Sequence, residues 1–315
     1  MGIGISLHIG LNEVDARHYG SPCPLKGCEG DAHAMRKLAV EAGFEPLAMM
    51  LGPAATSQAV LDAVRSAAPR IGGDGMLLLT YSGHGARVRD VCGNRGGPRY
   101  WDETWCTYDR QLLKDELSAC WRDFAQGSRI LVVSDSCFSG DIVRGYEAQQ
   151  SRRSRKPETV EMQPVLWDAK PVDQRKGVLH LLDASVGNSE LRAVPGGRDG
   201  GPAMRALPAR NAARVYNLHQ HMYDQIQLDV HAHPRRPIDA QVLLLAASQD
   251  NEPAQDGPAN GAFTAALLQV WNGGDFEGSY CRLYEEIRNR LVPRQHPEIL
   301  ALKPPAFSGQ RPFTI

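Results

Sequence analysis

Four short, almost unbroken apolar runs constrain this chain most: residues 3–10, 46–51, 76–81 and 130–134. Stretches with helical spacing separate them, at 31–42, 57–68 and 114–125. Strand, helix and strand in that order predict crossover units and a parallel sheet. Runs that are apolar on both sides of the strand predict helices on both faces of it. A fifth run at 242–247 and helical patterns at 260–271 and 280–291 resume the same layering, so one α/β unit assembled from two segments is predicted.

The rhythm breaks after Asp141 and returns only after Pro237. Arg152, Arg153, Arg155 and Lys156 cluster early in this stretch, a glycine-rich run follows at 194–201, and a helical pattern covers 211–227. A connector this long inside a compact unit is predicted to be a functional loop or a flexible linker with local helices. With 42% hydrophobic residues the chain can bury a sizeable core, and a formal net charge of -1 gives no reason to expect nucleic acid as a partner. The first residues do not read as a leader, no window reaches the length of a membrane span, and seven cysteines lack paired spacing. These features predict a soluble cytoplasmic protein with reduced thiols, bound to no membrane. Cys23, Cys28 and His33 match no common zinc spacing.

Two runs end in chemistry. The third ends in Tyr81-Ser82-Gly83-His84-Gly85 and the fourth in Ser134-Asp135-Ser136-Cys137-Phe138-Ser139-Gly140. Carboxyl ends of strands in an open α/β sheet are where ligand-binding loops converge. Neighbouring strands lie about 5 Å apart, so an imidazole and a thiol leaving adjacent ends can meet. His84 can then take the proton that Cys137 must lose to become a nucleophile. Strand alternation puts Asp135 on the side of Cys137 and Ser82 on the side of His84. A carboxylate beside a thiol opposes thiolate formation, so Asp135 is assigned the task of gripping a cationic substrate side chain, with Ser82 lining the same pocket.

These motifs, with a His-to-Cys separation of about 50 residues, resemble those of metacaspases, orthocaspases and other prokaryotic caspase homologues of peptidase family C14. The likeness continues through residues 25–32, 247–251, 260–264 and 310–313, most of the chain apart from the connector. It implies a caspase-like fold with a central, mostly parallel six-stranded sheet flanked by helices on both faces. It also implies a large-subunit-like segment at 1–145 with the dyad, a partly flexible connector at 146–237, and a small-subunit-like segment at 238–315 that completes the same domain.

The resemblance assigns Asp31 to an acidic pocket with Asp135, and so cleavage of proteins and peptides after Arg or Lys. It places the backbone N–H groups of Gly85 and Cys137 around the developing oxyanion. Asp102 and Asp115 fall at positions resembling a family calcium cluster. Lys114 and Arg144 stand where further acids are expected, so only a weak metal site is expected and no cofactor is required. Basic specificity further implies a zymogen processed in its connector at Arg144, Arg152, Arg153, Arg155 or Lys156, by itself, by an activating protease or with a regulatory partner. The alternative is a catalytically silent caspase-like module that binds partners. A cysteine phosphatase fits poorly, because Arg144 lies too far beyond Cys137.

Overall fold

The computed structural model describes residues 2–92, 101–137, 203–232, 236–249, 252, 254–302 and 306–315. Strand β1 (Gly4–Gly10) leads through helices α1 (Ala16–Tyr19) and α2 (Cys28–Glu41) to β2 (Glu45–Leu51), and α3 (Ser57–Ile71) returns the chain to β3 (Met76–Ser82). After β3 come three strands that the apolar runs do not reveal, β4 (Gly85–Arg89), β5 (Trp101–Cys106) and β6 (Gln111–Leu113). Helix α4 (Lys114–Cys120) then precedes β7 (Arg129–Asp135). Beyond the undescribed stretch lie α5 (Ala209–Ala232), β8 (Gln241–Ala246), α6 (Ala262–Trp271), α7 (Tyr280–Arg288) and β9 (Glu298–Leu302).

The main sheet has six strands in the order β2-β1-β3-β7-β8-β9. Every pairing is parallel except β8 with β9. The expected caspase-like architecture is therefore present, with an antiparallel edge strand the sequence pattern did not disclose. Helix α4 ends at Cys120, short of the expected residue 125, because the chain tightens into a turn at Trp121–Asp123.

Alternate strand residues feed two cores, which explains the unbroken apolar runs. Ile5, Leu7, Leu77, Leu79, Ile130, Val132, Val242 and Leu244 pack with α3 and α4 on one face. Met76, Leu78, Leu131, Val133, Leu243 and Leu245 pack with α2, α6 and α7 on the other. Each large aliphatic side chain buried this way contributes roughly 1.5–3 kcal/mol before entropy is charged against it.

The second sheet, β4-β5-β6, is antiparallel and starts immediately after His84. Its Ala86 and Val88 share a third cluster with Val14, Tyr19, and Val215, Tyr216 and Tyr223 of α5. Helix α5 bends at His219, whose φ of -120° and ψ of 20° leave the helical region. The carboxyl ends of β3 and β7 thus open onto a cleft walled by β4 and by the loop that follows β8. No helix among the described residues is long and apolar enough to cross a membrane.

Candidate active site

His84 and Cys137 leave the ends of β3 and β7, which are neighbours in the main sheet. Both are buried. The Nε2 atom of His84 lies 2.7 Å from the Cys23 carbonyl, which can only accept, so Nε2 carries the proton. Nδ1 is buried with no hydrogen-bond partner, leaving a lone pair to take a proton. Burial pushes the His84 pKa below its usual value, with the Cys23 carbonyl acting against that shift. Cys23 itself has a φ of 46°, a left-handed conformation uncommon for a residue with a side chain. Tyr81 holds His84 from behind, donating its hydroxyl to the His84 carbonyl at 2.7 Å while its ring stacks on Trp105.

Cys137 is a thiol in this arrangement. Burial pushes its pKa up to about 12, although the Ala254 N–H, 3.0 Å from Sγ, pulls the other way. Burial therefore favours the uncharged forms of both side chains, a thiol beside a neutral imidazole.

Beside these strand ends lies an acidic pocket already holding a guanidinium. Arg205 is fully buried and its Nη1 stands 2.7 Å from Asp31 and 3.0 Å from Asp135, while Nη2 stands 3.0 Å from Asp256. Nη1 also donates to Ser82 Oγ at 2.7 Å. The carboxylates are themselves fixed. Asp31 accepts from Ser82 Oγ, Asn260 Nδ2 and the Gly261 N–H. Asp135 accepts from the Thr264 N–H and hydroxyl, and Asp256 from the N–H groups of Lys26 and Gly27. Burial and the facing Asp135 raise the Asp31 pKa to about 6, with Arg205 opposing. Gly261 is required here, because a Cβ would lie 2.5 Å from the guanidinium carbon.

The backbone of Arg205 is docked as firmly as its side chain. Its carbonyl accepts the N–H of Gly85 at 2.9 Å and that of Cys137 at 3.3 Å. Its N–H donates to the Ala254 carbonyl, and the Asp256 N–H donates to the Ala203 carbonyl. Residues 203–206 thereby lie between β4 and the loop after β8, bridging Gly85 on one side and Gln255 on the other. An extended peptide adding itself to exposed backbone is the geometry of peptide recognition by β-augmentation.

The sequence-derived residues His84, Cys137, Asp31, Ser82, Asp135 and Gly85 therefore converge on one cleft. Asp256 and Arg205 were missed. The signal for Asp256 was an acid in a loop rich in Gly and Pro at a strand's carboxyl end, between two stretches that carry the family resemblance. Arg205 announces itself only as one basic residue among small apolar ones beyond the glycine-rich run.

Asp102 and Asp115 lie elsewhere, each with a cationic or polar partner. Lys114 Nζ stands 2.7 Å from Asp102, and His231 Nε2 stands 2.6 Å from Asp115. Among the described residues no group of three or more His, Cys, Asp or Glu side chains could hold a metal. Arg144, Arg152, Arg153, Arg155 and Lys156 lie outside the described residues.

A six-stranded, mostly parallel sheet with a thiol and an imidazole at adjacent strand ends has the organisation of the caspase-fold cysteine peptidases. The chain matches the caspase domain of peptidase family C14 over residues 4–306, and it belongs to that family. It is 26% identical over 164 residues to Metacaspase-8 of Arabidopsis thaliana, covering 48% of this chain and 41% of that protein. Metacaspase-4 of the same plant is 29% identical over 164 residues, covering 47% and 36%. The matches thus span less than half the length of these curated relatives. Among solved structures, GSU0716 from Geobacter sulfurreducens is 34% identical with a TM-score of 0.73 and covers 99% of both chains. Caspase-1 from Spodoptera frugiperda, 10% identical, superposes with a TM-score of 0.50 over 95% of this chain and 86% of its own, a likeness of fold alone.

Proposed function

We propose that this chain is a cysteine endopeptidase that cleaves proteins after Arg or Lys, with Cys137 as nucleophile and His84 as general base. One observation carries the reading: a single residue, Arg205, has its cation ringed by Asp31, Asp135 and Asp256 while its carbonyl oxygen accepts the N–H groups of Gly85 and Cys137. Basic side chain and reacting carbonyl are thus engaged together, as a substrate requires.

In the proposed reaction, Sγ of Cys137 attacks the substrate carbonyl as Nδ1 of His84 accepts the thiol proton. Charge developing on the carbonyl oxygen falls on two N–H donors, where one donor is worth on the order of 100-fold to 1,000-fold in rate. His84 then passes its proton to the leaving amine, and water hydrolyses the thioester. Three carboxylates in one buried pocket repel an acidic side chain and favour a guanidinium or ammonium. No metal takes part in these steps. Processing of the connector and cytoplasmic residence belong to the same proposal.

The test is hydrolysis of a fluorogenic Arg-amide peptide by the full chain and by Cys137→Ala and His84→Ala, with an Asp-amide peptide as control. Turnover of the Arg peptide, lost by about 10,000-fold or more in Cys137→Ala, is expected. Undiminished turnover by Cys137→Ala, or preference for the Asp peptide, overturns the assignment. A correctly folded chain inert towards both peptides, also when Arg205→Gln vacates the pocket, would indicate the silent binding module instead.

A further inference from the structure

Both sides of the Arg205–Ala206 peptide bond are held in the cleft. On the acyl side Arg205 fills the acidic pocket and engages the Gly85 and Cys137 N–H groups. On the amine side the chain crosses onto β4. Leu207 donates its N–H to the Gly85 carbonyl at 2.9 Å, and Ala206 bridges Gly85. The Leu207 side chain is 4% exposed and buried in the cluster of Ala86, Val88, Val215 and Tyr216. Helix α5, which begins two residues later, is fastened in turn. Gln227 accepts the Val91 N–H at 3.0 Å and donates to the Arg89 carbonyl at 2.9 Å, and the Tyr223 hydroxyl accepts the Gln111 N–H at 3.0 Å.

We infer that the cleft carries an apolar subsite on its leaving-group side, filled by the chain's own Leu207, and that this anchorage together with Arg205 makes Arg205–Ala206 the bond the chain cuts in itself. The inference rests on the proposed peptidase activity and adds to it a bond and a second recognition element. In the step, the Cys137 sulfur forms a thioester with the Arg205 carbonyl carbon as the bond to the Ala206 nitrogen breaks. The thiol proton reaches that nitrogen through His84. Water then releases Arg205 as a carboxylate and restores the thiol.

The two products differ in their hold. The new amino terminus at Ala206 stays fastened through Leu207 and α5, whereas the Arg205 side, no longer tethered to α5, must be released from its ion pairs with Asp31, Asp135 and Asp256 and from its backbone bond to Ala254. Cutting therefore uncouples the two sides, so that Arg205 can exchange with substrate in the acidic pocket while the leaving-group side stays occupied until Leu207 is displaced. Pairing of β7 with β8 keeps the two fragments in one sheet.

The experiment follows the full chain by intact mass and amino-terminal sequencing during incubation. A new terminus at Ala206 is expected in the native chain and in Arg205→Lys, at a rate independent of protein concentration, and not in Cys137→Ala. Arg205→Gln should lose this cut yet hydrolyse a free Arg-amide peptide at least as fast as the native chain, because its pocket is vacated. Leu207→Ala should slow the cut by roughly tenfold. In Arg205→Gln with Leu207→Gly, a peptide continuing Ala-Leu after its Arg should be cut roughly tenfold faster than one continuing Ala-Asp. A native chain active on free Arg peptide that never yields Ala206 at its terminus overturns the self-cleaved bond. Equal rates on the Ala-Leu and Ala-Asp peptides overturn the subsite. If neither the native chain nor Arg205→Gln cuts free peptide, the peptidase reading has failed and this inference falls with it.

Discussion

Ser82 and Asp135 are register partners across β3 and β7. His84 stands two residues beyond the first and Cys137 two residues beyond the second, so imidazole and thiol leave the sheet level with one another. The same pairing sets the floor of the acidic pocket, because Ser82 Oγ and the Asp135 carbonyl both contact the Arg205 guanidinium. The proposed catalytic and specificity groups therefore share one row of a rigid sheet.

Gly85 is placed so close to the backbone of Cys137 that a Cβ there would collide with the Cys137 carbonyl. Gly85→Ala should displace the start of β4 and weaken its N–H donation to the reacting carbonyl. A fall in kcat of roughly 100-fold to 1,000-fold is expected, with a smaller change in KM. Steady-state kinetics on an Arg-amide peptide measures it. Unchanged kcat would remove Gly85 from the oxyanion site.

Asp256 is the pocket carboxylate that pattern reading missed, and it meets the cation on the side opposite Asp31 and Asp135. Asp256→Asn preserves shape and one acceptor oxygen but removes a charge. A charge-assisted hydrogen bond is worth about 1.5–3 kcal/mol, so kcat/KM for Arg peptides should fall roughly 10-fold to 100-fold. A profile across Arg, Lys and neutral peptides should show the preference for Arg narrowing. An unaltered profile would leave recognition to Asp31 and Asp135 alone.

Lys114 and Asp102 form a buried ion pair at 2.7 Å. Lys114→Met should destabilise the fold by about 3–5 kcal/mol at pH 7, since Asp102 is left buried and uncompensated. Burial already lifts the Asp102 pKa to about 6 against the pull of Lys114, so at pH 5 the variant can protonate Asp102 and the loss should shrink. Urea denaturation at the two pH values reads both effects. With Lys114 in place, peptidase activity should survive a calcium chelator. Activity abolished by chelator and restored by micromolar calcium would show that Asp102 and Asp115 are recruited to a metal after all.

His8, in the middle of β1, hydrogen-bonds the Thr80 hydroxyl at 2.9 Å, and burial holds its pKa down at about 3 against an ordinary 6.5. The unfolded chain binds a proton at this residue below pH 6.5 while the folded chain does not. Stability is therefore full above pH 6.5 and is lost as pH falls towards 3, by at most about 4–5 kcal/mol from this residue. Asp31 works in the opposite sense. Its pKa is raised to about 6 from 3.8, so the folded chain binds a proton first and gains stability as pH falls between those values. Asp102, raised likewise to about 6, adds to Asp31, while His18, lowered by burial to about 4, adds to His8, and the two histidine shifts together are the larger. Denaturation at pH 7, 5 and 4 should show falling stability, and His8→Asn should flatten that fall. An equal fall in His8→Asn would move the acid sensitivity to other groups.

Sequence by itself determined the parts of this protein that depend on local pattern. Apolar runs with crossover-length helices between them dictate a covered parallel sheet, because strands buried on both faces cannot alternate. Motifs at strand ends bring out His84, Cys137, Ser82 and Asp135, because alternation along a strand assigns side. Three features were decided only in the folded state. The small sheet β4-β5-β6 and the edge strand β9 are short and mixed in character, and their pairing follows from the surfaces that other elements leave exposed. Asp256 enters the pocket because β8 inserts beside β7 across the whole connector, a contact whose register no local signal encodes. Arg205 docks because three buried carboxylates, far apart in the chain, together demand a cation. A buried charge is tolerable only when it is paired, and only the assembled site shows which residue supplies the pairing.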